Sequence, residues 1–222
     1  MFKKIQPDLK ESTFGWRIYK LKQDKILKPI KRGVYTLTIK PEYQPEISDK
    51  LKRIFSAVKR ENISDNICIW SSFWLNEFMS HQPMRYVLVL EVDNDVLESV
   101  YYFLRDKVYK KIYMKPDEYI MLKYAMEEQN PLILLPFKSR SPVEQHKKVV
   151  IPSLEKILVD LFSDSKLFYW VQGEELTNIF YEAFSKYQIN FSTLIAYARR
   201  RGVDKKLKQY LKNEISIPEE FF

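Results

Sequence analysis

The sequence predicts an α+β protein: a partial winged helix-turn-helix at the amino end, followed by a mixed α/β domain that becomes helical from about residue 151. Three observations predict it. Helical apolar spacing and short β-rich runs take turns through the middle of the chain. Its 222 residues are 45% hydrophobic and 15% aromatic, enough to bury a substantial core. Positive charge gathers at the two ends. Residues 1–40 hold 11 Lys/Arg against 3 Asp/Glu and residues 199–212 hold 7 against 1, whereas residues 41–198 hold 19 against 22.

Ser12 to Lys25 reads as a helix, with Ser12 or Thr13 as N-cap. Phe14, Ile18 and Leu21 fall at i, i+4 and i+7, and Arg17 and Lys20 lie largely off that face. Ile26–Ile39 reads as a hairpin turning at Arg32-Gly33, where glycine supplies the positive φ that tight turns demand. It carries Lys28, Lys31 and Arg32. A helix followed at once by a basic hairpin is the second half of a winged helix, in which the helix enters the major groove and the wing lies along phosphates. Pro7 interrupts the stretch before it, so the module is abbreviated. The two-proline segment PEYQPE marks a boundary between a module at 1–45 and a domain at 46–222.

In the second part, ISDKLKRIFSAVKREN reads as a helix with Ile47, Leu51, Ile54 and Val58 on one face. NICIWSS is a buried strand, FWLNEFM a short helix, RYVLVLEV a strand and DNDVLESVYYFLRDK a helix. KVYKKIYM is strand-like, DEYIMLKYAMEE helical and PLILLPF a strand. From Ile151 four helical segments follow, with Pro152 suited to a first turn and Gly202 to a helix end. The aromatic runs Tyr101-Tyr102-Phe103 and Phe168-Tyr169-Trp170 read as core.

Composition excludes several classes. Cys68 is the only cysteine, so there is no disulfide framework, and a reducing compartment follows. MFKKIQPDLK is not a signal peptide, and the longest apolar runs fall far short of the ~20 residues of a membrane helix. The expectation is a cytoplasmic protein with no membrane contact. The four glycines are far apart, which excludes a phosphate-binding glycine loop. His81 and His146 stand alone without ligand spacing, so neither metal nor cofactor is expected.

The order GWRIYKLKQDKILKPIKRGVYTL, ICIWSSFWLNEF, PSLEKILVDLF and FSTLIAYARRRG resembles the AbiEi-type antitoxin family of type IV toxin–antitoxin (abortive infection) systems, in particular a Bacteroidetes-like branch of it. The resemblance spans about Ser12 to Leu211. It implies a winged helix that binds inverted repeats in duplex DNA and represses its own operon. It also implies a larger carboxy-terminal domain that antagonises a nucleotidyltransferase-type toxin without a stable complex. On this chain the recognition helix would be Ser12–Lys25 and the wing Ile26–Ile39. The DNA contacts would then be Arg17, Lys20, Lys28, Lys31 and Arg32.

Two further features admit chemistry. Arg199, Arg200 and Arg201 form either a second phosphate-contact patch or a charged helix end capped by Gly202. Ser71-Ser72 followed by Glu91-Val92-Asp93 gives the alternative of a nucleotidyltransferase-like enzyme, because acids at i and i+2 of a strand share a face and could hold Mg²⁺. That motif requires a Gly-Ser turn, which is absent here. The favoured reading is non-enzymatic, with Asp93 and Asn94 capping the following helix.

Overall fold

The computed structural model describes residues 11–24, 26–31, 33–36, 40–218 and 221–222. Helix α1 (Glu11–Gln23) leads into an antiparallel hairpin, β1 (Lys28–Lys31) and β2 (Val34–Thr36), in which Lys28 faces Thr36 and Pro29 faces Tyr35. Gly33 turns it at φ 82°, the left-handed conformation expected of that glycine. Arg32 lies outside the described residues. Phe14, Ile18 and Leu21 are half-buried, and Arg17 and Lys20 are exposed, as the helical spacing predicts.

The boundary segment is not a loose linker. Tyr43, Pro45 and Ile47 are buried at alternate positions, and the Tyr43 ring lies 5.0 Å from that of Tyr187 and 5.6 Å from that of Phe78. Gln188 donates its amide to the Pro41 carbonyl at 3.1 Å. The turn-like composition of PEYQPE hid this, because its apolar residues alternate as in a strand without strand pairing.

The domain that follows is mixed α+β. Helix α2 (Asp49–Glu61) precedes β3 (Ile67–Ser71), β4 (Leu88–Val92), α3 (Leu97–Lys107), β5 (Ile112–Met114), α4 (Glu118–Lys123) and β6 (Leu132–Pro136). The strands form one sheet in the order β3-β4-β6-β5. β3 is antiparallel to β4, whereas β4, β5 and β6 run parallel. Every residue of β3 and β4 is buried, so both faces are covered. Trp70, Val89 and Glu91 point to one face, and the alternate residues Ile69, Leu88 and Leu90 to the other. The short helix expected after β3 is a 3-10 turn, Ser72–Glu77.

A second hairpin, β7 (Val143–His146) with β8 (Val149–Pro152), has no counterpart in the periodicity reading. β8 packs against β3. Pro152 ends β8 and does not open the helix as its composition suggests; Ser153 is the N-cap of helix α5 (Leu154–Ser163). Helices α6 (Glu174–Lys186), α7 (Phe191–Arg200) and α8 (Asp204–Asn213) complete the helical layer. Among the described residues no helix is long and apolar enough to cross a membrane. Of the aromatic runs, Phe168 is fully buried and Tyr102 is exposed, its outer face covered by the Arg105 guanidinium 5.0 Å from the ring.

Helix α5 is buried from Leu154 to Leu161. Leu158 is wholly buried in the common core. Leu158→Ala should lower stability by ~2–5 kcal/mol. Chemical denaturation of wild type and variant checks this; an unchanged midpoint would show that the helix is not held in the core.

Candidate functional site

Helix α5 carries charge into the core. Leu154, Ile157, Leu158 and Leu161 supply its apolar contacts, whereas Lys156, Asp160 and Asp164 recur every four residues and meet on another stripe. Lys156 is fully buried. Its ammonium donates to Glu91 Oε1 at 2.5 Å and to Asp160 Oδ2 at 2.5 Å, and lies 5.5 Å from the centre of the Tyr197 ring. Asp160 Oδ1 accepts from the Tyr197 hydroxyl at 2.9 Å and from Arg201 Nη1 at 2.5 Å. Arg201 Nη2 reaches Asp164 Oδ2 at 2.6 Å. One network therefore ties β4, α5 and the end of α7 together.

The electrostatics follow from burial and proximity. Burial alone would lower the Lys156 pKa, but the carboxylates of Asp160 and Glu91 outweigh it and hold the ammonium well above the ordinary lysine range. Burial pushes the Glu91 carboxyl up, more than Lys156 pulls it down. Burial and the neighbouring Asp160 raise the Tyr197 hydroxyl to about 12. Cys68 pairs with Glu91 across the strands, and burial raises its thiol well above its usual value, away from nucleophilic chemistry.

A cleft of about 240 Å³ opens beside the network. Trp70, Val89 and Glu91 form its sheet wall. Lys115, Pro116, Leu135, Pro136 and Lys138 lie at the carboxyl ends of β5 and β6, and Asp160, Asp164, Phe168 and Arg201 face them. In open parallel sheets this end of the strands is where ligands bind. Sequence reasoning named Glu91 and Arg201 for other roles and missed Lys156, Asp160 and Lys115. The four-residue recurrence of Lys156, Asp160 and Asp164 along and just beyond a largely apolar helix was the available signal.

The acids considered for nucleotide transfer are each engaged by protein groups, Glu91 by Lys156 and Asp93 by the segment before β3. Ser71 faces Leu88 and Cys68 faces Glu91 in the antiparallel register, so the serine pair and the acids sit at opposite ends of the two strands. Both serines serve the backbone: Ser71 Oγ accepts the Phe73 amide at 3.2 Å, and Ser72 Oγ accepts the Val87 amide at 2.9 Å. Contrary to the expectation, the Asp93 side chain does not cap the helix after it. It closes the turn before β3, accepting from the Ser64 hydroxyl, the amides of Asp65 and Asn66, and the Asn66 side chain at 2.8–3.1 Å. Slight burial opposes these donors, yet they hold the carboxyl below its usual value. The turn outcompetes the helix because it supplies four donors. Among the described residues no group of three or more His, Cys, Asp and Glu could hold a metal.

The basic residues divide. Arg17 and Lys20 are exposed on α1, with the Lys20 ammonium 5.4 Å from the Trp16 ring centre. Lys28 and Lys31 open and close strand β1, which packs beside α7. The arginine run does not form one patch. Arg201 turns inward, Arg200 bonds the Ser139 carbonyl and hydroxyl at 3.3 and 3.1 Å, and Arg199 lies 3.9 Å from Asp204. Gly202 follows at φ 72° and donates its amide to the Arg199 carbonyl, so the reading of a capped helix end describes the backbone here.

A mixed sheet flanked by helices, with a charge-lined cleft at its parallel strand ends, defines the class of the domain. Residues 13–217 match a family described as a family of unknown function (DUF6577), and the chain belongs to that family. No curated protein and no solved structure matches it.

Lys156→Met removes the side chain that bridges Glu91 and Asp160, and should lower stability by ~3–5 kcal/mol near neutral pH. In the variant the Glu91 carboxyl, already raised by burial, rises further. Its folded form then holds a proton more tightly than the unfolded chain, and stability falls as pH climbs through the raised value. The deficit should be smaller near about pH 5 than near about pH 8. Denaturation curves at both pH values check it; a deficit that does not depend on pH would contradict the assignment.

Proposed function

We propose that this chain is a non-enzymatic, antitoxin-like transcriptional regulator of a type IV toxin–antitoxin system. It acts in the cytoplasm on duplex DNA, with a nucleotidyltransferase-type toxin as its functional partner. The observation that carries the reading is the amino-terminal pair of elements. Helix α1 presents Arg17, Lys20 and Lys22 to solvent and is followed within four residues by a hairpin that begins and ends its first strand in lysine. A partial winged helix supplies both a groove-entering helix and a phosphate-lining wing. The exposed Trp16 and Tyr19, each 60% accessible, add flat surface beside those cations. The AbiEi-type order of sequence segments supports the same reading, and so does the commitment of Glu91, Asp93, Ser71 and Ser72 to internal bonds.

Phosphate contacts set affinity and salt dependence, whereas base contacts set sequence choice. Replacing Lys31 and Arg32 with Ala should weaken binding to all duplexes alike and flatten the salt dependence by a slope of ~0.9 per lost contact. Arg17→Ala should instead relax the preference for the chain's own upstream DNA, through a lost base-edge contact. Fluorescence anisotropy across a salt series, with wild type and both variants, tests this. A wild type that fails to bind at low salt refutes the DNA-binding reading.

A further inference from the structure

The cleft beside the Lys156 network has a use that the DNA-binding reading does not absorb. Its charges are sorted in space. The inner cleft holds Lys115, Lys138 and Arg201, with Lys156 behind its wall, against Glu91, Asp160 and Asp164, a balance of four cations to three carboxyl groups. A shallower groove shares Pro116, Asp164 and Leu167 with the cleft, and its sign is reversed. There Asp117, Glu118 and Asp164 oppose Lys166. The groove also presents Tyr119, 60% exposed, and Leu122.

The cations at the mouth are positioned, not scattered. Lys115 follows β5 with φ 44°, a left-handed backbone that a lysine rarely adopts. It is held there by its amide, which donates to the Leu134 carbonyl at 2.9 Å, and by its ammonium, which donates to Asn94 Oδ1 at 3.0 Å. Lys138 stands just beyond β6, where Arg200 braces the neighbouring Ser139. Both lysines thus flank the carboxyl ends of parallel strands, where such sheets take ligands.

We propose that the cleft and groove together bind a nucleoside monophosphate. The phosphate sits between Lys115 and Lys138 in the field of Arg201. The neutral remainder runs along the groove, its ring against Tyr119 and its hydroxyls donating to Asp117 and Glu118. A cavity of about 240 Å³ suits a head group, not a whole drug-sized ligand, so the body lies outside it. The acidic groove disfavours a continuing strand, because each further phosphate would meet carboxylates there. A free nucleotide is therefore the occupant, not a nucleic-acid end. The site is remote in sequence from α1 and its hairpin, so its fate and that of the DNA-binding reading are separate.

Titration calorimetry on the full chain tests this with adenosine monophosphate, guanosine monophosphate, adenosine, inorganic phosphate and a short oligonucleotide carrying a terminal phosphate. At least one monophosphate should bind, more tightly than inorganic phosphate or the oligonucleotide, and adenosine should not bind. Lys138→Ala and Lys115→Gln, both at exposed positions that leave the core intact, should each weaken binding by roughly tenfold or more, as loss of a charged hydrogen bond does. The proposal is overturned if neither monophosphate binds, if inorganic phosphate or the oligonucleotide binds as well, or if both variants bind like wild type.

Discussion

Everything in the larger domain is arranged around a lysine that has no contact with water. Lys156 is inside because α5 is enclosed on every side, by β8 before it and by α6 and α7 beside it. A buried ammonium is tolerated only when its charge is matched and its donors are used, and Glu91 and Asp160 do both. The other oxygen of Asp160 accepts in turn from Tyr197 and Arg201. The network fixes the rotation of α5 about its axis: a helix turned by one residue would bury Lys156 against leucines and leave Glu91 unpaired. It also fixes where the cleft lies, since Glu91, Asp160 and Arg201 form part of its lining.

The same constraint redistributes the charge that looked functional in the sequence. Arg201 and Glu91 belong to the interior, and Asp93 belongs to a turn. Exposed among the described residues are Arg17, Lys20 and Lys22 on α1, Arg199 and Arg200 at the end of α7, and Lys115 and Lys138 at the strand ends. β1 packs beside α7, so the basic amino-terminal hairpin and the helix that ends in Arg199 and Arg200 are neighbours. In the proposed reading the larger domain is a scaffold with a small-ligand cleft, and the amino-terminal elements make the DNA contacts.

Much of the fold was legible where periodicity had one interpretation. VLVLEV and LILLPF gave strands, α2 and the four carboxy-terminal helices followed from their apolar spacing, and Gly33 and Gly202 took the left-handed turns expected of them. The β7–β8 hairpin was hidden because VEQH is polar and half-exposed, carrying no strand signal of its own. The site was far less legible. Glu91 lies in β4 and Asp93 just beyond it, and their partners come from residues 27 to 65 positions away. No local pattern states which acid will meet a lysine and which a loop amide. Antiparallel pairing of β3 with β4 decided the matter by placing Ser71-Ser72 at the far end from both acids.

The most direct test of this account is the titration of the Lys156 ammonium in the folded chain, followed by heteronuclear NMR against a Lys156→Arg control that identifies its signal. The network predicts that Lys156 stays protonated beyond the ~10.4 of an ordinary lysine, for as long as the chain remains folded. Stability from this group should then be complete below that value and lost only as pH rises through the raised one. A Lys156 that loses its proton below the ordinary lysine value would mean that burial outweighs its two carboxyl partners, and would contradict the network as the organising interaction of the fold.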